Sequence, residues 1–318
     1  MKKMIDRLID DIQAKKSPIV VGLDPVISRI PEVYFRNAQG ENELEIISNA
    51  IVSSNKDILD SISDLVPMVK PQIAFYEMLK HYGIQAFEET VEYAKAKGLI
   101  VIEDGKRNDI GNTAMAYAQG HLGEFKGINC KLKGFDVDFL TISPYLGPES
   151  LDPFINVCEE YDKGVFILVK TSNPGNSIIQ DVVTKEGHTI SETIAAYVQH
   201  KSMANRGDYG YSAIGAVVGA TYPEDAKKLR KLMPNSLFLV PGYGAQGGSA
   251  EDIVACFNDD GLGAVISSSR GILYGYEKWI DAGSCTTSKY KEYVRKLTIE
   301  MQKEIYTSLK AHCKNMRY

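Results

Sequence analysis

Asp104 and Lys106 stand two residues apart, just beyond the apolar run Leu99–Ile102, in the stretch Leu-Ile-Val-Ile-Glu-Asp-Gly-Lys-Arg-Asn-Asp-Ile-Gly-Asn-Thr. A strand has period two, so both side chains project to the same side of the strand end. A carboxylate and an ammonium held side by side suit a reaction site. A structural ion pair, with Asp109 capping the following helix, accounts for the same spacing. Other polar residues also close apolar runs: Asp24 after Pro18–Leu23, Lys70 after Leu65–Val69, and Ser172 after Val165–Val169. Lys70 and Lys106 could stabilise or protonate developing carbanion charge. Asp104 could keep Lys106 cationic and oriented, and would repel a substrate carboxylate beside it. Each also has a plainer reading: a snorkelling lysine at 70, a turn cap at Asp24 before Pro25, a turn residue at Ser172.

A second group suits an anion. The loop Pro241-Gly-Tyr-Gly-Ala-Gln246-Gly247-Gly and the turn Ser269-Arg270-Gly follow the last two apolar runs. Glycines let backbone N–H groups approach an anion, and a guanidinium grips two phosphate oxygens. A mobile loop and a surface arginine would look alike singly; together, in these positions, they point to phosphate binding. No Ser-His-Asp pattern and no metal-ligand spacing is present.

These residues need elements to hold them. Met4, Ile5, Leu8, Ile9 and Ile12 recur at helical spacing and predict an opening helix. Eight apolar runs that read as strands then alternate with helical segments. The helices are expected at Glu43–Ile62, His81–Lys97, from about Asn112, Ser150–Glu160, Ser191–Met203, Tyr222–Met233, Glu251–Phe257 and Ser288–Lys314. Pro31–Gly40 reads as loop. No composition shift marks a boundary, so the expectation is one domain over residues 1–318, a (β/α)8 barrel with an N-terminal helix and a helical C-terminal tail. The doubly wound open sheet lacks its G-x-G-x-x-G after the first strand. In such a barrel the reactive groups lie at the C-terminal strand ends, and phosphate sites follow the last two strands.

Composition narrows the class. A chain of 318 residues, 44% hydrophobic, can bury a large core. A net charge of −5 argues against a nucleic-acid surface. Five dispersed cysteines without a CxxC pair read as reduced thiols rather than a disulfide framework or a metal site. The first residues do not resemble a signal peptide, and no apolar run is long enough to span a bilayer. The expectation is a cytoplasmic protein with no membrane partner.

The sequence resembles the orotidine 5′-phosphate decarboxylase family, in its longer-chain bacterial subgroup. Four motifs carry the resemblance: Gly22-Leu-Asp24-Pro25, Lys70-Pro-Gln-Ile-Ala-Phe, Asp104-Gly-Lys106-Arg-Asn-Asp109-Ile-Gly-Asn-Thr113, and Pro241-Gly-Tyr-Gly-Ala-Gln246-Gly-Gly. Thr171-Ser172-Asn-Pro-Gly and Ser269-Arg270-Gly add to it. The resemblance implies a barrel homodimer that converts orotidine 5′-phosphate to UMP and CO2 without cofactor or metal. It implies that Lys106 protonates C6 and that Asp104 sits against the departing carboxylate. Lys70 would join the charge network and contact the ribose. Asp109 would reach the neighbouring subunit's site, with Ile110 and Thr113 nearby. Asp24 would bind a ribose hydroxyl and Ser172 the pyrimidine. Pro241, Gln246, Gly247, Ser269 and Arg270 would surround the 5′-phosphate.

Two departures stand out: Ser269 where the family commonly has glycine, and Leu273 where some members have a phosphate-contacting tyrosine, with Tyr274 one position late. A metal-dependent sugar-phosphate decarboxylase or aldolase of the same superfamily is the nearest rival. It carries a glutamate where this chain has Lys70. A non-catalytic phosphate-binding barrel is the other, and it would not need Asp104, Lys106 and Asp109.

Overall fold

The computed structural model describes residues 2–244 and 247–318. Eight parallel strands close into a barrel: β1 Ile19–Leu23, β2 Met68–Pro71, β3 Ile100–Arg107, β4 Phe139–Ile142, β5 Gly164–Lys170, β6 Ser212–Val218, β7 Ser236–Val240 and β8 Ala264–Ser268. Each strand pairs with its sequence neighbours, and β1 closes the ring by pairing with both β2 and β8.

Period-two alternation divides the apolar residues into two cores. Val20, Met68, Ile100, Ile102, Phe139 and Phe166 belong to the barrel interior, in one cluster with Met4, Ile5, Leu8, Ile9 and Ile12. The N-terminal helix Met4–Lys15 thus plugs the mouth opposite the polar strand ends. Ile19, Val21, Leu23, Val69 and Val101 face outward and pack with the surrounding helices. The same alternation continues past the apolar runs. Val20 inside places Gly22 and Asp24 inside; Met68 brings in Lys70; Ile102 brings in Asp104; Phe139 brings in Thr141.

Most helices lie where their spacing predicts. Glu43–Ile62 forms one helix, capped by the Asn42 side chain accepting from the Glu45 N–H at 3.1 Å. The next, Lys80–Ala96, stops before Gly98, whose φ is +78°. The C-terminal helix is Thr287–His312.

The structure departs from the sequence reading in four places. Pro31–Gly40 is not simply loop: Glu32–Asn37 is helical, pinned by the buried Tyr34, whose hydroxyl donates to Asp57 at 2.8 Å. Glu251–Phe257 is a 3-10 helix over Asp252–Cys256. A two-stranded antiparallel hairpin, Glu124–Lys126 with Lys131–Lys133, follows the helix Gly111–His121. The third strand runs on through its charges to Arg107, where the register against β4 shifts between Glu103 and Arg107.

Candidate active site

That register shift shapes the cluster of charges at the strand ends. It is a bulge, and Lys106 within it has a φ of +45°, in the left-handed region that non-glycine residues seldom adopt. Thr141 on the next strand holds the bulge: its hydroxyl accepts from the Lys106 N–H at 2.9 Å and donates to Asp104 Oδ1 at 3.1 Å. The three charges then form a row. Lys106 Nζ lies 2.5 Å from Asp104 Oδ1, and Lys70 Nζ lies 2.8 Å from Asp104 Oδ2. Both expected partners of Asp104 therefore engage it, one on each oxygen.

Burial sets the electrostatics of the row. The Lys70 side chain is 8% exposed and that of Asp104 13%, whereas that of Lys106 is 49% exposed. Burial alone would raise the Asp104 carboxyl; the ammoniums of Lys70 and Lys106 outweigh it and hold the group well below the usual carboxylate range. Burial likewise opposes charge on Lys70, but Asp104 and Asp24 raise it above the ordinary lysine value. The site is thus a fixed cation–anion–cation array with its outermost ammonium reaching open space.

A cavity of about 500 Å³ stands over this row. Asp24, Lys70, Asp104, Lys106, Ser172, Pro241, Ser269 and Arg270 all line it. Asp24 Oδ1 is buried and has no hydrogen-bond partner among the described residues. A carboxylate oxygen in that state accepts from a ligand hydroxyl at little further desolvation cost. Ser172 sits against the end of β6, where a Cβ on Gly219 would come within 3.0 Å of its backbone. Its turn is held from outside: Gln180 Oε1 accepts from the Thr171 N–H at 3.0 Å, and Asn176 Nδ2 donates to the Thr171 carbonyl at 3.0 Å. Leu168, Val217 and Leu239 supply an apolar wall suited to a flat ring.

The end of the cavity expected to take an anion lies at the loops after β7 and β8. Pro241 and Tyr243 line the cavity, and the Tyr243 hydroxyl donates to Glu304 of the C-terminal helix at 2.7 Å. Gly247 has a φ of +94°, which favours glycine, and does not itself line the cavity. Gln246 lies outside the described residues. Arg270 opens the short helix Arg270–Leu273, is exposed at the rim and makes no ion pair among the described residues. The serine departure has a structural partner: a Cβ on Gly22 would lie 1.8 Å from Ser269 Oγ, so the glycine of β1 leaves room for that side chain. Leu273 is buried, and Tyr274 is turned away to the backbone of the β1 loop rather than into the cavity.

Besides Gly247, three of the expected residues are not in this cavity. Asp109, Ile110 and Thr113 sit on the rim after β3. Asp109 Oδ1 accepts from the Ile110 N–H at 2.8 Å, so it stabilises the turn before the helix Gly111–His121 but makes no bond to that helix's own N–H groups. Ile110 is 56% exposed. Thr141 was missed in the sequence; the signal that could have found it is its place two residues after the inward Phe139.

With the geometry in hand, the relatives are informative. The sequence profile described as "Orotidine 5'-phosphate decarboxylase / HUMPS family" matches residues 17–277. This chain belongs to that family. A member from Rhodopirellula baltica (strain DSM 10527 / NCIMB 13988 / SH1), named orotidine 5′-phosphate decarboxylase, is 42% identical over 285 residues, covering 90% of this chain and 93% of its own. Among solved structures, Leishmania donovani OMP decarboxylase superposes with a TM-score of 0.70 at 28% identity, covering 96% of this chain and 98% of that one. Leishmania donovani UMP synthase gives 0.72 at 29% identity; 97% of this chain matches 57% of that longer one. The family's barrel is thus the architecture found here.

Proposed function

We propose that this protein decarboxylates orotidine 5′-phosphate to UMP and CO2, using its own side chains and no cofactor. The observation that carries the reading is the row Lys70–Asp104–Lys106, in which a buried carboxylate is kept ionised between two ammoniums. Loss of CO2 leaves an electron pair on C6 of the pyrimidine with no electron sink, so stabilisation must come from charges already in place. In this reading Asp104 faces the substrate carboxylate. As the C6–carboxylate bond breaks, Lys106 Nζ, the more exposed ammonium, delivers a proton to C6, and CO2 leaves. Lys70 holds Asp104 from behind and contacts the ribose.

Asp24 accepts from a ribose hydroxyl, which supplies the partner its buried Oδ1 lacks. Ser172 bonds the pyrimidine edge. Pro241, Gln246, Gly247, Ser269 and Arg270 enclose the 5′-phosphate, at the barrel position that suits an anion. Binding energy gained there is expressed at C6 through positioning.

The protein acts as a homodimer in this reading, with Asp109, Ile110 and Thr113 completing the partner's site. The support is their place on the rim, together with exposed apolar side chains in the segments that follow three adjacent strands: Met78, Ile110, Tyr117, Tyr145 and Leu146. We assign it to the cytoplasm as one barrel domain. Among the described residues, no helix is long and apolar enough to cross a membrane.

The metal-dependent sister reaction needs a carboxylate where Lys70 stands, and Lys70 is committed to Asp104. The deciding assay is consumption of orotidine 5′-phosphate, followed by the loss of its ultraviolet absorbance, in buffer containing EDTA. Undiminished turnover is expected. A strict Mg2+ requirement would favour the sister enzyme.

A further inference from the structure

The two ends of the cavity are tied together by one side chain. Arg270 at the anion end begins a short helix, and the Tyr274 N–H donates to the Arg270 carbonyl at 3.1 Å. Tyr274 is only 2% exposed. Its hydroxyl donates to the Asp24 carbonyl at 2.6 Å and accepts from the Val26 N–H at 2.7 Å. Both contacts fall on the turn Asp24-Pro25-Val26. The turn's own bond runs from the Val26 N–H to the Asp24 carbonyl at 2.9 Å, and Pro25 has no N–H to give.

The same segment braces the loop further on. The Arg29 guanidinium lies over the Tyr274 ring at 4.3 Å and donates to Glu277 through Nε at 2.8 Å and Nη2 at 2.6 Å. The Tyr276 hydroxyl donates to the Arg29 carbonyl at 2.8 Å. Residues 274–277, just past the anion end, thus grip the whole loop 24–29. Asp24 Oδ1 itself has no hydrogen-bond partner among the described residues, so besides the nearby Lys70 charge its backbone anchorage is what places it.

We propose that Tyr274 is a positioning residue, whose hydroxyl fixes the Asp24 carboxylate relative to Arg270 and so sets the span between the sugar-hydroxyl and phosphate subsites. The proposal rests on the reading that Asp24 accepts from a ribose hydroxyl. A fixed span matters because binding energy from the phosphate reaches the sugar and the base only if the two subsites do not drift apart. It also gives the late tyrosine a use: placed one residue later than a phosphate-contacting tyrosine, it reaches the first strand's loop instead of the ligand.

The test is ligand discrimination in Tyr274→Phe, which removes one oxygen and keeps the ring beneath Arg29. Dissociation constants are measured for UMP, 2′-deoxy-UMP and 3′-deoxy-UMP, with Asp24→Asn in parallel. Asp24→Asn should lose the wild-type preference for UMP over at least one deoxy analogue. Tyr274→Phe should lower that same preference by about fivefold to tenfold, less than the full loss of a hydrogen bond to a charged group because Asp24 is misplaced rather than removed, while keeping its affinity for the deoxy analogue. Equal weakening of all three ligands, or an unchanged preference, overturns the proposal. If Asp24→Asn itself keeps the wild-type preference, the sugar role of Asp24 falls and the proposal with it; loss there without loss in Tyr274→Phe removes only the positioning role. Should Tyr274→Phe not fold, Glu277→Gln loosens Arg29 at the rim, and a smaller fall in the same preference is expected. No fall overturns the proposal.

Discussion

Lys106 combines two properties that rarely meet in one residue. Its ammonium sits 2.5 Å from a buried carboxylate, and its backbone has a φ of +45°. A left-handed lysine costs about 1 kcal/mol or more, and such strain persists only where neighbours enforce it. Here the neighbour is Thr141, which takes the Lys106 N–H at 2.9 Å. For Lys106 as the proton donor, Lys106→Ala should lower turnover by at least about 10³-fold, within the range that removal of a general acid produces. UMP binding, followed by calorimetry, should survive because the anion end and Asp24 are untouched. Near-normal turnover would remove Lys106 from the chemistry.

At the scale of elements, the barrel was legible because each strand is a short apolar run bounded by turn residues, and because the polar groups that matter continue the inward alternation. Asp24, Lys70 and Asp104 could be placed on one surface from Val20, Met68 and Ile102 alone. What could not be read depends on contacts between distant segments. The helix Glu32–Asn37 has only six residues and is held by Tyr34 packing edge-to-face on Tyr290, far along the chain. The hairpin Glu124–Lys133 has three-residue strands with mostly exposed side chains, too short for a periodic signal. Thr141 is an ordinary strand residue until the bulge opposite it is known.

The pairing of Gly22 with Ser269 is of this kind, and it carries a prediction. A Cβ at position 22 would lie 1.8 Å from Ser269 Oγ and 2.8 Å from its Cβ, but 3.3 Å from its Cα. Gly22→Ala should therefore push Ser269 and the start of the Arg270 helix out of place, raising KM by about tenfold or more, since small displacements at a binding site are costly. Ser269→Gly removes the two closest atoms and should restore most of the loss in the double variant. Failure of that rescue in a folded protein would mean that Gly22 serves something other than room for Ser269.

At the scale of the whole molecule, one chain gathers nearly the entire proposed site and leaves one part of it facing away. Asp24, Lys70, Asp104, Lys106, Ser172 and Arg270 converge on a single cavity, yet Asp109, five residues beyond Asp104 and three beyond Lys106, stands on the rim with Ile110 56% exposed beside it. A carboxylate that neither enters its own cavity nor bonds the helix it precedes is well placed to serve another copy. If it does, each site in a dimer takes Lys106 from one chain and Asp109 from the other. Lys106→Ala and Asp109→Ala homodimers are then both impaired at both sites. Mixing them in equal amounts and allowing exchange gives heterodimers in half the population, each with one intact site and one doubly altered site. Activity should recover to about one quarter of the wild-type value, the statistical share for a two-fold assembly. Differently tagged chains verify that exchange has occurred. Recovery requires a shared site, since neither chain can repair its own; proven exchange with no recovery would return Asp109 to the role of a local turn residue.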